Sequence, residues 1–181
     1  KEKEEIRKAL KELLDDLERT LERLKREYDK LRKDLEDTDE RIAREHKKIA
    51  DDLDRTLKEA RKKLDERELD KLRKEVEEHN KRVKRRRDEI RKETEKNTKR
   101  NEDEERKKRE ELERKKRDLE RKDSESERVL EEVKREVDRI KEELRRTLEE
   151  NRRRIEEIKK RLEDILRESR ERARELKEKL R

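Results

Sequence analysis

Apolar residues keep a helical rhythm almost from the start of the chain. Ile6, Leu10, Leu13, Leu17, Leu21, Leu24, Tyr28, Leu31 and Leu35 follow at steps of three and four, one face of an α-helix, with charged residues nearly everywhere between them. The stepping returns at Ile42, His46, Ile49, Leu53, Leu57, Ala60 and Leu64, and again from Val129 through Leu176. Periodicity sustained this long predicts amphipathic helices rather than disorder.

Two stretches break the monotony. Asp37-Thr38-Asp39-Glu40 and Asp123-Ser124-Glu125-Ser126-Glu127 place small side-chain oxygens ahead of acidic residues, and Asp37 with Glu40 or Ser124 with Glu127 has capping-box spacing. Turns are therefore expected at 37–39 and 123–126. A third discontinuity, at 65–70, has Leu64 and Leu69 five apart and reads as a kink, hinge or turn. The predicted helices cover about 2–36, 40–64, 69–122 and 127–181. The fold class expected is all-α, an elongated antiparallel bundle of coiled-coil-like helical hairpins. The alternative is a monomeric antiparallel three-helix bundle turning near 66 and 124, because the stripe from Ile6 to Leu64 is also in phase for one unbroken helix.

Surface positions are so uniformly charged that the scarce Thr, Asn, His, Tyr and Ser outside the turns belong on or beside the stripe. His79 with Ser169, Asn97 with Asn151 and Asn101 with Thr147 are symmetric about position 124. Thr20 with Thr56 and Tyr28 with His46 are symmetric about positions 37 to 38. A buried hydroxyl or amide without a partner costs about 1–3 kcal/mol, so matched heights point to hydrogen-bonded polar layers that set register. The motif LxRTL occurs at residues 17–21, 53–57 and 144–148. The first two copies lie 36 residues apart, ten helical turns, and read as one packing solution reused.

Composition narrows the fold further. Of 181 residues only 23% are hydrophobic and 69% are charged, against about half and a quarter in ordinary domains, so the apolar surface suffices for a stripe but not for a round core. Gly and Pro are absent, which leaves tight hairpins and phosphate-cradling loops without their favoured residues. No apolar run approaches the roughly 18 residues of a membrane span and no targeting segment is recognisable, so a soluble chain of undefined localisation is expected.

Helix 127–181 carries a wide stripe with the adjacent pairs Val129/Leu130 and Ile165/Leu166, whereas 91–111 holds no apolar residue. One hairpin would leave the inner stripe half bare, which predicts a homo-oligomer built around helix 127–181.

Candidate chemistry is thin. Cysteine is absent, and His46 and His79 have no further ligand at metal spacing beyond the i,i+4 pair Glu75 and His79. No catalytic, cofactor-binding or metal residue is assigned; neither enzyme activity nor a small-molecule ligand is expected. The net charge of +7 comes from 66 basic and 59 acidic residues, finely mixed. The exception is KRVKRRR at 81–87, which with RKKR at 106–109 and 114–117 offers an alternative reading as a nucleic-acid or polyanion surface. No aromatic residue interleaves with these runs, and a solvated outer face is the preferred reading.

Lys/Glu/Arg surfaces, cap-like stretches, missing Gly, Pro and Met, and polar residues confined to layers make the chain resemble de novo designed helical bundles with buried hydrogen-bond networks. That resemblance implies a very stable assembly, symmetric or not, without a natural ligand.

Overall fold

The computed structural model describes residues 2–121 and 126–180. It is a three-helix bundle: α1 is Glu2–Ala60, α2 Glu66–Arg121 and α3 Glu127–Leu180, with no strand among the described residues. The all-α expectation is met in its three-helix form. The chain divides into two compact units, Lys1–Arg32 with Lys96–Arg154 and Lys33–Glu95 with Ile155–Arg181. All three helices contribute to each unit, α1 parallel to α3 and α2 antiparallel to both.

α1 runs unbroken through 37–39, so the turn expected there does not form. Leu35, Thr38 and Ile42 keep the stripe in phase, and breaking it would forfeit helical hydrogen bonds without freeing any apolar face. The cap-like side chains do other work. The Thr38 hydroxyl donates back to the Asp34 carbonyl at 3.0 Å, and the Asp39 carboxylate accepts from Arg87 at 3.0 Å and Arg91 at 3.3 Å, both on α2.

The α1–α2 turn occupies 61–65, just ahead of the expected 65–70. Asp65 is the N-cap, its carbonyl accepting from Leu69 N–H at 3.0 Å. Leu64 before it and Leu69 in the first turn of α2 belong to the same apolar cluster, a hydrophobic staple that explains their five-residue step. No described residue has positive φ, so the turn closes without glycine. The expected Ser124–Glu127 box involves residues 122–125, outside those described. The cap of α3 is Ser126, whose hydroxyl oxygen accepts from Val129 N–H at 3.3 Å.

The first unit packs Leu10, Leu14, Leu17, Leu21 and Leu24 of α1 against Leu112 of α2 and Val133, Val137, Ile140 and Leu144 of α3. The second packs Leu53, Leu57 and Ala60 against Leu69, Leu72 and Val76 and against Ala173, Leu176 and Leu180. No large hydrophobic among the described residues is exposed. The half-bare stripe on which self-association was expected to rest is therefore covered within the chain, because α1 as a single long helix supplies a third face.

Ion pairs reveal a periodicity finer than the 36-residue motif spacing. In the first unit Asp16 pairs with Lys141 and Glu27 with Arg152; in the second Asp34 pairs with Lys159, Glu45 with Arg170 and Asp52 with Lys177. Every pair is 125 residues apart. Along α1 the acidic members recur at alternating steps of 11 and 7, a period of 18 residues, which is five whole turns. An 11-residue step drifts one way around a helix and a 7-residue step the other, so together they return to the same face. Thr20, Thr38 and Thr56 share this period, each donating to the carbonyl four residues back. Pairs this exposed contribute little to stability, because water and salt screen them. Their effect is to hold α1 and α3 to registers a multiple of 18 residues apart, more than to add stability.

Candidate functional site

Polar residues are few enough that each buried one has to be accounted for. In the first unit Asn151 of α3 is 3% exposed, and its side-chain oxygen accepts from the Asn97 amide at 2.8 Å and the Asn101 amide at 2.7 Å, both on α2. Thr147 does not face Asn101: its hydroxyl lies 2.7 Å from a Glu104 carboxylate oxygen and 2.9 Å from the Glu143 carbonyl. Tyr28 is buried in the same unit with no protein partner for its hydroxyl. Burial, then the Glu104 and Glu105 carboxylates, push that phenol up, so it stays neutral.

In the second unit His79 Nε2 of α2 and Ser169 Oγ of α3 form a buried hydrogen bond of 3.0 Å, whose donor follows from the His79 tautomer. His46 of α1 is buried beside them, and neither ring nitrogen has a protein partner. The paired heights expected for Thr20 with Thr56 and Tyr28 with His46 do not exist, since all four residues lie on α1. The Thr56 hydroxyl donates to the Asp52 carbonyl at 2.8 Å.

Burial, then Arg87, His79 and Arg170, push the His46 imidazole down to about 4 from its ordinary 6.5, while Asp39 acts in the opposite sense. Burial lowers His79 too, with Arg172 and Arg82 adding to it. Both rings are neutral at pH 7. The folded-state value of His46 lies below the unfolded one, so its contribution to stability is intact above pH 6.5 and is lost as pH falls toward 4. Discounted for water access to the ring, the loss is on the order of 2 kcal/mol. Carboxylates held low by ion pairs, such as Asp16 beside Lys141 and Glu45 beside Arg170, lose stability mainly below their ordinary 3.8 and 4.5. The change in urea midpoint between pH 7 and pH 5 is therefore dominated by the histidines. His46→Gln is expected to flatten most of the difference; a wild-type midpoint constant over that window would mean the ring is not held neutral by its surroundings.

Three groups that matter here were not singled out by residue type. Arg87, which sits in the basic run, is largely buried, its side chain 15% exposed, and is paired to Asp39 at 20%. Arg86 of the same run pairs with Glu168 of α3. Asn80 and Arg87 line a cavity with His46. Among the described residues no group of three or more His, Cys, Asp or Glu converges as a metal site, and no helix is long and apolar enough to cross a membrane. Glu75 faces Arg172 at 3.9 Å and Lys179 at 3.6 Å.

Compared with protein-family models, with curated proteins and with solved structures, the chain matches none.

Proposed function

We propose that this is a structural protein of designed origin, without enzymatic activity, whose function is to fold into a three-helix bundle in one register. The observation that carries the reading is the contrast between its polar layers. With an 18-residue period, α3 could slide five turns along α1 and still meet acidic partners with its basic residues. The layers differ from one repeat to the next. Asn97 and Asn151 occupy the positions that His79 and Ser169 occupy one repeat away, so a slip would set Asn151 against His79 and leave the Asn97 and Asn101 amides without their acceptor. Unmet buried polar groups make the slipped form unfavourable.

Self-association, expected when the α3 stripe was thought half bare, has no exposed large hydrophobic among the described residues to rest on. A lone folded chain is the reading proposed. Light scattering after size exclusion, in moderate salt, is expected to report the mass of one chain. A stable multiple would return the protein to the homo-oligomer reading.

The polyanion alternative is weakened by the pairing of Arg86 and Arg87 with carboxylates of neighbouring helices, which leaves Lys81, Arg82, Lys84 and Arg85 as the exposed basic members of the run.

A further inference from the structure

Both histidines of the chain lie in the second unit, and both are buried there. Positions 18 residues apart correspond in the two units, and where the second carries His46, His79 and Ser169 the first carries Tyr28, Asn97 and Asn151. None of those three first-unit side chains gains a proton between pH 7 and pH 4, whereas an unhindered imidazole does so near 6.5. One polar layer can therefore be charged by acid and the other cannot.

The second layer is built against that charge. Both His46 ring nitrogens are closed to water and without a protein partner, so an imidazolium there would hold two N–H donors with no acceptor. His79 is bonded to the Ser169 hydroxyl, not to a carboxylate. Cations face the rings from two helices, Arg82 and Arg87 of α2 and Arg170 and Arg172 of α3, and His46 faces His79 as well. Asp39 of α1 favours a proton on His46, but Arg87 and Arg91 already share it. Other carboxylates nearby are engaged too: Glu45 with Arg170, Glu168 with Arg86, and Glu75 with Arg172 and Lys179. The exposed Glu78 and Asp88 stand at groove mouths among Arg82, Lys47 and Lys84.

We propose that this layer is an acid-operated latch: protonation of His46 and His79 opens residues 33–95 and 155–181 while the first unit stays folded. A charged ring reaches water only if the helices part around it. The parting spreads because Ile49, Val76 and Ala173, three or four residues from His46, His79 and Ser169, belong to that unit's own apolar cluster. The first unit's cluster shares no residue with it. Carboxylates held low by ion pairs occur in both units, Asp16 and Glu142 in the first, Glu45 and Glu168 in the second, so their loss in acid singles out neither. An opened His46 takes its proton near 6.5 and a closed one only near 4, so falling pH favours opening, by roughly tenfold or more from pH 7 to pH 5.

Urea unfolding of the full chain, followed residue by residue through its native amide resonances in NMR, tests the latch. Leu53, Val76 and Leu176 report on the second unit, and Leu17, Ile140 and Leu144 on the first. At pH 5 the second set is expected to vanish roughly 1 M urea ahead of the first, the size of gap that a tenfold change in opening produces, and at pH 7 the gap is expected to be smaller or absent. In the double variant His46→Gln, His79→Gln the gap at pH 5 is expected to return to its pH 7 size. Coincident midpoints for the two sets at pH 5 would overturn the proposal, as would a gap of equal size at pH 7 and pH 5, or a folded double variant that keeps the wild-type gap at pH 5. The two wild-type titrations decide the matter even if the double variant fails to fold.

Discussion

Replacing Thr38 with proline is expected to destabilise the protein by at least about 3 kcal/mol. Thr38 lies well inside α1, which continues for more than five turns on either side. Proline there removes the N–H that bonds to the Asp34 carbonyl, sets its ring against that carbonyl, and deletes the hydroxyl that donates to the same oxygen. In a turn at 37–39 the substitution would be tolerated or slightly favourable, since proline restricts the unfolded chain. Urea denaturation of wild type and Thr38→Pro separates the two. A midpoint within experimental error of wild type would restore the hairpin scheme and remove the long α1 on which the burial of the α3 stripe depends. Thr38→Ala, which keeps the backbone bond, is the control for the lost hydroxyl.

The second large effect is expected at Asn151. Asn151→Leu removes the one oxygen that accepts from both Asn97 and Asn101, in a layer where all three residues are buried. At about 1–3 kcal/mol for each of the two stranded donors, the expected loss is roughly 2–6 kcal/mol, partly offset by the apolar gain of leucine. Replacing all three asparagines with leucine is expected to recover that loss, because no polar group is then left without a partner. The recovered protein should pay in uniqueness, since only the His79–Ser169 pair would still oppose an 18-residue slip. Doubled amide resonances for residues of α3 would be the sign. If Asn151→Leu proves neutral, the layer is not closed to water and the register argument fails at its main step.

Particular residues show how far the sequence could be read. The all-helical class was legible because spacings of three and four cover most of the chain and strand-type alternation appears nowhere. Asn97 and Asn151 could be placed near each other because symmetry about position 124, at the second turn, holds wherever the first turn lies. The first turn was ambiguous: Asp37-Thr38-Asp39 and Asp65-Glu66 both have the chemistry of a helix start. Local chemistry could not choose between them, because a carboxylate that caps its own helix and one that pairs with a neighbouring arginine look the same in sequence. Asp39 became the second kind only because Arg87 and Arg91 of α2 lie opposite it. Arg87 was misread for the complementary reason. Within the basic run it reads as part of a solvated outer face, yet its place near the inner face of α2 buries it against Asp39.

By itself, then, the sequence determined that the chain forms long helices, that apolar surface suffices only for stripes, and that scarce polar residues fall on those stripes. These follow from composition and period, which act within a few turns of one helix. Tertiary structure alone decided that 61–65 and not 37–39 is the first turn, that the α3 stripe is covered within the chain, and which of the polar residues meet. Those outcomes depend on which helix lies opposite which, and an 18-residue period makes several registers nearly alike in apolar contacts. The choice among them falls to a few side chains, Asn97, Asn101, Asn151, His79 and Ser169, whose partners exist in one register only.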